Sequence, residues 1–164
     1  MVSERLSYIV GGSRGFTMVE LTMVLAIVGI ISTISIPMLS TYLRAATLRA
    51  GAEEAVAVLN AARQLAIRTS MTVCVRNDGT RMRYHVGSCG VAPWSGSGTD
   101  AGGNIQLAND LRVGGTNNLC FNDLGAGTAT PTPCAPNGTL TVTSPAGGAT
   151  LNVIMATTGR LRIQ

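Results

Sequence analysis

Residues 16–39 run for 24 positions with a single ionisable side chain, Glu20. At ~1.5 Å per residue the run makes roughly 36 Å of helix, enough to cross a bilayer core of ~30 Å. Nothing else in the chain restricts the fold as strongly, because it commits the N-terminal part to a membrane-crossing helix. A secretory signal is the competing reading, but its apolar region spans only ~7–15 residues and would lack the acid. A carboxylate near the start of such a helix is costly and marks a functional position. Gly15 and Phe16 stand just ahead of it, and a cut between them creates an amine able to neutralise the charge.

The flanks of the run give an orientation. Residues 1–15 are polar and glycine-containing, carry Glu4, Arg5 and Arg14, and read as a leader. Positive charge ahead of the run predicts that the leader stays cytoplasmic and that the C-terminal part is exported. Cys74, Cys89, Cys120 and Cys134 all lie beyond the run. An even number of cysteines in an exported domain favours disulfides. No spacing is C-x-x-C, so zinc and redox motifs find little support. Three pairings are open; Cys74–Cys89 with Cys120–Cys134 is preferred, since each closes a short loop without crossing the other.

Helical signal continues past Pro37, a residue that removes a backbone donor and kinks a helix. Leu48, Ala52, Ala55, Leu59, Ala62 and Ala66 recur at spacings of three and four. This is an amphipathic helix with a narrow, alanine-rich apolar face, suited to close packing on a sheet. One helix is therefore expected from about Thr17 to about Ser70. Strand signals come next at 72–75 and 81–86, joined by the turn Asn77-Asp78-Gly79-Thr80. Further short strands are expected at 105–107, 111–113, 119–121, 139–143, 149–155 and 160–163, set among loops rich in Gly, Ser, Asn, Thr and Pro. The fold class is α+β, a long N-terminal helix packed on a mostly antiparallel sheet. Residues 1–15 are the leader, 16–43 the membrane half of the helix and 44–164 an exported globular domain.

Catalytic constellations are missing. The one histidine, His85, falls on a hairpin strand and reads as a surface or cross-strand residue. No serine or cysteine sits in a nucleophile motif, and no carboxylate pair has useful spacing. Asp78 and Asp123 lie among turn residues. The glycines match neither a P-loop nor a dinucleotide fingerprint. No enzyme, cofactor or metal is expected.

Together these residues resemble a type IV pilin-like protein. The family's cleavage motif is a Gly followed by Phe-Thr-x-x-Glu, here Gly15 and Phe16-Thr17-Met18-Val19-Glu20. The resemblance implies cutting after Gly15 by a prepilin peptidase and methylation of the Phe16 amine. It also implies residence in the bacterial inner membrane with an exported C-terminal domain, then assembly with other pilins through the helix. It casts Glu20 as the partner of a neighbouring subunit's N-terminus, and Pro37 falls where the family often kinks. A carboxylate and an ammonium that are each costly alone in a low-dielectric core are tolerable together. Within the family, the 59–67 helix segment Leu-Asn-Ala-Ala-Arg-Gln-Leu-Ala-Ile, Trp94 and a closing Gly-Arg-x-Arg look like the GspH/FimT group of minor pilins and pseudopilins.

That closing motif is Gly159-Arg160-Leu161-Arg162. On a strand, Arg160 and Arg162 point to one side and Leu161 to the other. Two guanidinium forks on one exposed edge can hold successive phosphates. In the FimT branch such a tail is associated with DNA binding in natural transformation, and the resemblance implies the same role here. The competing reading is an edge strand made unattractive to other edges by charge. From residue 44 onward, ten arginines face six acidic side chains, a balance of +4, and the chain has no lysine. Arg76, Arg81 and Arg83 on the first hairpin would extend a basic surface if they share the tail's side. Aromatics for stacking are few, so sequence-independent binding of duplex DNA by its backbone fits better than single-strand binding. A structural or priming minor pilin, and a type II secretion pseudopilin, are the alternatives.

Overall fold

The computed structural model describes residues 15–145 and 147–164. The leader expected for residues 1–15 lies outside them apart from Gly15. One helix, α1, runs Met18–Thr69, within two residues of both predicted ends. The chain divides into two compact units between Thr41 and Tyr42.

In the first unit α1 is apolar and exposed along its length, and it is the one helix among the described residues long and apolar enough to cross a membrane. Its hydroxyls are satisfied within the helix. Ser32 donates to the Val28 carbonyl at 2.7 Å and Ser35 to the Ile31 carbonyl at 2.9 Å. Such back-bonding removes the cost of a polar group in hydrocarbon. Pro37 lies inside the helix, and its carbonyl accepts from the Ser40 and Thr41 hydroxyls at 2.9 and 3.0 Å.

In the second unit the rest of α1 buries the stripe Leu48, Gly51, Ala52, Ala55, Val58, Leu59, Ala62, Leu65 and Ala66. Eight strands come after it: β1 Val73–Asn77, β2 Arg81–Val86, β3 Asn104–Gln106, β4 Arg112–Gly115, β5 Leu119–Phe121, β6 Gly138–Thr143, β7 Thr150–Met155 and β8 Leu161–Ile163. They form two four-stranded sheets rather than the one expected, in the orders β3-β2-β1-β5 and β4-β6-β7-β8. Neighbouring strands in both sheets run antiparallel. Alternation fixes which face each strand buries, but not which strands become neighbours. Val73, Val75, Phe121, Val142, Val153 and Met155 meet the helix stripe in one core drawn from both sheets.

Polar anchors tie the helix to the first sheet and order its loops. The Tyr84 hydroxyl donates to the Val58 carbonyl of α1 at 2.8 Å, and burial pushes its phenol pKa up. Trp94 donates its backbone N–H to the Tyr84 carbonyl at 2.7 Å, with the two ring centroids 6.2 Å apart. The glycine-rich segment beyond is organised by Asp100. Its Oδ1 accepts from the backbone N–H groups of Asn104 and Gly102 at 2.7 and 2.8 Å. Bonds from Asn104, backbone first, hold its carboxyl below the usual range.

On the opposite face of the first sheet, His85 and Cys120 are the cross-strand neighbours of Cys74 on its two sides. His85 is buried rather than on the surface, and its Nδ1–H donates to the Val91 carbonyl at 2.7 Å. Disulfides join Cys74 to Cys89 and Cys120 to Cys134.

Ala62 has no exposed surface. Ala62→Leu should therefore force helix and sheets apart and lower stability by about 1–3 kcal/mol, read as a lower urea midpoint of the full chain in detergent micelles. An unchanged midpoint would show that the helix face has room to spare.

Candidate functional site

Two regions carry the chain's exposed chemistry: the N-terminal end of α1 and the β7–β8 hairpin. At the first, Thr17 is the residue before the helix. Its backbone N–H and its hydroxyl both donate to Glu20 Oε2, at 2.9 and 3.0 Å. Glu20 returns the bond, its backbone N–H donating to Thr17 Oγ1 at 3.2 Å. This is a reciprocal capping box, Thr-x-x-Glu, which satisfies donors that a helix start otherwise leaves orphaned. The negative charge also sits at the positive end of the helix dipole. Gly15, Phe16, Thr17 and Glu20 line one shallow hollow. Phe16 is 81% exposed. A Cβ on Gly15 would meet nothing within 4 Å, so packing is not what calls for glycine there.

At the hairpin, β8 is the edge of the second sheet and pairs only with β7, Ile154 opposite Arg162 and Met155 opposite Leu161. Val153 and Met155 point into the core and Leu161 packs against it. The period of two then turns Ile154, Ala156, Arg160, Arg162 and Gln164 outward together. With Thr158 and Ile163 they line an open hollow of about 510 Å³. Arg160 and Arg162 are both exposed. Their positions are set by the turn. Ala156 donates its N–H to the Arg160 carbonyl and Gly159 donates to Ala156, each at 2.9 Å. Gly159 has φ +76°, and a Cβ there would strike the Gly125 carbonyl. Gly127 donates to the Thr157 carbonyl at 2.8 Å, closing the same corner. A left-handed residue under a carbonyl ceiling has to be glycine.

The comparisons with known proteins bear on the first of these regions and on the fold. Residues 11–36 match the family described as the prokaryotic N-terminal methylation motif. The structure of the minor pseudopilin EpsH from the type 2 secretion system of Vibrio cholerae is similar to this chain, with a TM-score of 0.51 at 15% identity, covering 71% of this chain and 95% of that one. The chain carries a prepilin-type N-terminal methylation motif and has a pseudopilin-like fold. The type IV minor pilin FimU of Pseudomonas aeruginosa is also similar, with a TM-score of 0.49 and 17% identity over 75% of this chain and 92% of that one. No curated protein matches the sequence. The matched motif leads into the apolar part of α1, which is suited to membrane anchoring.

The structure gathers some of the sequence-derived residues and separates others. Arg160 and Arg162 share one face. Arg76, Arg81 and Arg83 do not join them: they lie on β1 and β2 of the first sheet, whereas β8 is the far edge of the second, separated from β4 by β6 and β7. Arg76 and Arg83 are cross-strand partners of each other. Arg83 is engaged by Asp78 at 3.2 Å and by Asn104 at 2.7 Å. Arg83 is thus taken up by a local ion pair, and the sheet order sets the hairpin apart from the tail. Arg49 of α1 was not singled out from sequence, yet it lines a second hollow with Leu151, Ile163 and Gln164, at the end of the same strand. Its partner Glu53 stands 3.2 Å away, and both are well exposed, so the pair is weak. Thr17 is the other residue sequence reasoning passed over, although the Thr-x-x-Glu spacing signals a capping box.

Gly159→Ala should destabilise the second unit by about 1–3 kcal/mol, since the new methyl group meets both an unfavourable φ and the Gly125 carbonyl. Thermal unfolding in micelles reads it; Gly147→Ala, at a φ of +74° with open space around it, is the control that carries the φ cost alone.

Proposed function

We propose that the chain is a minor pilin of a type IV pilus, cut between Gly15 and Phe16 by a prepilin peptidase and methylated on the Phe16 amine. It enters the filament through α1, with Glu20 paired to the N-terminal amine of a neighbouring subunit. Before assembly it sits in the inner membrane as a single-pass protein with the second unit on the exported side. Its specific task is to hold extracellular DNA during natural transformation.

The observation that carries the DNA reading is the placement of Arg160 and Arg162 on one outward face, above the same hollow, on a turn fixed by Gly159. Two residues apart on a strand, their Cα atoms stand roughly 6.6 Å apart, a spacing suited to successive phosphates along one strand. Neither guanidinium has a carboxylate partner among the salt bridges of the described residues, so both forks are free for phosphate oxygens. The hollow offers Ile154, Ala156 and Thr158 rather than aromatic rings, which suits backbone contacts and gives no means of stacking on bases. Arg49, at the other side of Ile163, is the third cation within reach of the same strand end. The fold likeness to a pseudopilin keeps a type II secretion role as the second reading, in which the tail would contact exported protein instead.

The proposal predicts that the full chain in micelles retards duplex DNA at low salt, with little sequence preference. R160A/R162A should flatten the log–log salt dependence by about 1.8, or roughly 0.9 for each lost phosphate contact. Equal binding by wild type and the double variant would remove the tail from the interface, and no shift by the wild type would favour the structural readings.

A second prediction concerns processing. Because Gly15 has open space around it, Gly15→Leu should leave the fold intact while blocking removal of the leader. Intact-mass measurement of membrane extracts should find the variant still carrying residues 1–15, and a cleaved variant would contradict the assigned cut.

A further inference from the structure

The outer face of the first sheet collects four sulfurs in one place. Cys74 on β1 lies directly across from Cys120 on β5, and their bonded partners Cys89 and Cys134 arrive from the loops after β2 and β5. All four Sγ atoms lie within 4.8 Å of one another. Between the two disulfides, Cys89 Sγ is 3.5 Å from Cys120 Sγ and 3.7 Å from Cys134 Sγ. These are van der Waals contacts between sulfurs, so a thiolate released from one bond already touches the other. Burial is uneven. Cys74 and Cys120 have no exposed surface and Cys89 only 3%, whereas Cys134 is half-buried. Stapling two loops requires two disulfides; it does not require them to be in contact.

We propose that the four cysteines form one thiol–disulfide exchange site, at which an external dithiol enters through Cys134 and the reduction is handed inward to Cys74. A thiolate of the dithiol attacks Cys134 Sγ, forming a mixed disulfide, and Cys120 leaves as a thiolate. The second thiol of the dithiol attacks its own sulfur in the mixed disulfide, releasing Cys134 and departing as the oxidised dithiol. The Cys120 thiolate then attacks Cys89 Sγ at 3.5 Å. The Cys89–Cys120 bond forms, the Cys74–Cys89 bond breaks, and Cys74 leaves as a thiolate. The dithiol has lost two electrons and two protons, and both protons end on the released sulfurs, Cys74 and Cys134. Attack by a thiolate on a disulfide sulfur is limited by access, and the inner bond is closed to an external thiol. The relay reaches it through a neighbour that is not. His85 stands beside Cys74 on the same face with Nδ1 committed to Val91 and Nε2 buried without a partner. It therefore places an unpartnered ring nitrogen, a hydrogen-bond acceptor for an S–H, on the face where Cys74 is released and takes up its proton.

The class of co-reactant is a dithiol, either a small molecule or a C-x-x-C oxidoreductase of the exported compartment. The test treats the full chain in micelles with one equivalent of dithiothreitol, quenches with N-ethylmaleimide and maps the links by mass spectrometry. The expected product in the singly reduced fraction is a Cys89–Cys120 link with Cys74 alkylated. C134S leaves Cys120 as a thiol facing an intact Cys74–Cys89 bond. Without reductant, about half of the molecules should carry an alkylated Cys74, against none in the wild type, the share expected when two pairings of comparable stability compete in one site. Should circular dichroism show C134S to be unfolded, the wild-type map decides alone. A wild-type map holding only Cys74–Cys89, with Cys120 and Cys134 alkylated, overturns the relay. So does a folded C134S with no alkylated Cys74.

Discussion

The second unit depends on how closely α1 can approach two small sheets. Each sheet has four strands, several only three residues long, and each needs a second layer against its apolar face to close a core. The helix supplies the shared cover. Ala52, Ala55, Ala62 and Ala66 are wholly buried, and at Gly51 even a methyl group would run into the side chain of Leu111. Small side chains along one stripe bring the helix backbone down to where Val73, Phe121, Val142 and Met155 can all reach it. A leucine-rich stripe would bury more surface per residue but hold the sheets away. Because β7 contributes Val153 and Met155 to this contact, the same packing fixes which side chains of the β7–β8 hairpin are left outside.

At the other end of the helix, one carboxylate serves in two settings. Glu20 caps its own helix through Thr17, which gives the charge hydrogen-bond donors and the helix dipole before any partner is present. In the proposed processing, cleavage adds an ammonium at Phe16, next to the cap. A positive charge at a helix start opposes the dipole, so the new amine needs a carboxylate, its own or a neighbour's. The capping box makes the acid tolerable in the uncut chain, and the proposed filament contact would replace bonds that already exist rather than rescue a bare charge. This explains why Thr and Glu belong three residues apart as well as why an acid is present at all.

Periodicity made most of the fold legible. The helix, the β1–β2 hairpin and the β6–β7 pair can be read from spacing and turn residues, and β5 falls on the three residues expected. Pairing at a distance stayed hidden. Residues 111–113 read as a strand because Leu111 and Val113 alternate, yet the strand is Arg112–Gly115, and Leu111 is instead turned under Gly51. Nothing local could show that the hairpin after β1 would bridge through Gly79 to Val113, or that β1 would take β5 as its second neighbour. The same gap explains the basic residues. Arg160 and Arg162 share a face because a strand has a period of two, a local fact. Whether Arg76, Arg81 and Arg83 join them depends on sheet assignment, which is a global one. Arg49 lies more than a hundred residues from the strand end it accompanies, so only the packed structure brings it there.

The tail's two readings make different demands on geometry. Charge that merely discourages edge pairing works from either face of β8 and in any rotamer, and asks nothing of the turn before it. Phosphate capture asks that both guanidinium groups stand on one side at a fixed separation. The corner at Gly159 meets the second demand. Its positive φ, its contact with the Gly125 carbonyl and the Gly127 bond to Thr157 tie it to the loop after β5, and that loop is anchored to the first sheet through the bridge of Phe121 with Gly127. A three-residue edge strand would ordinarily be the loosest part of a sheet. Here its backbone is held from two directions, more than edge protection needs, which favours the proposed phosphate contact over the edge-protection reading.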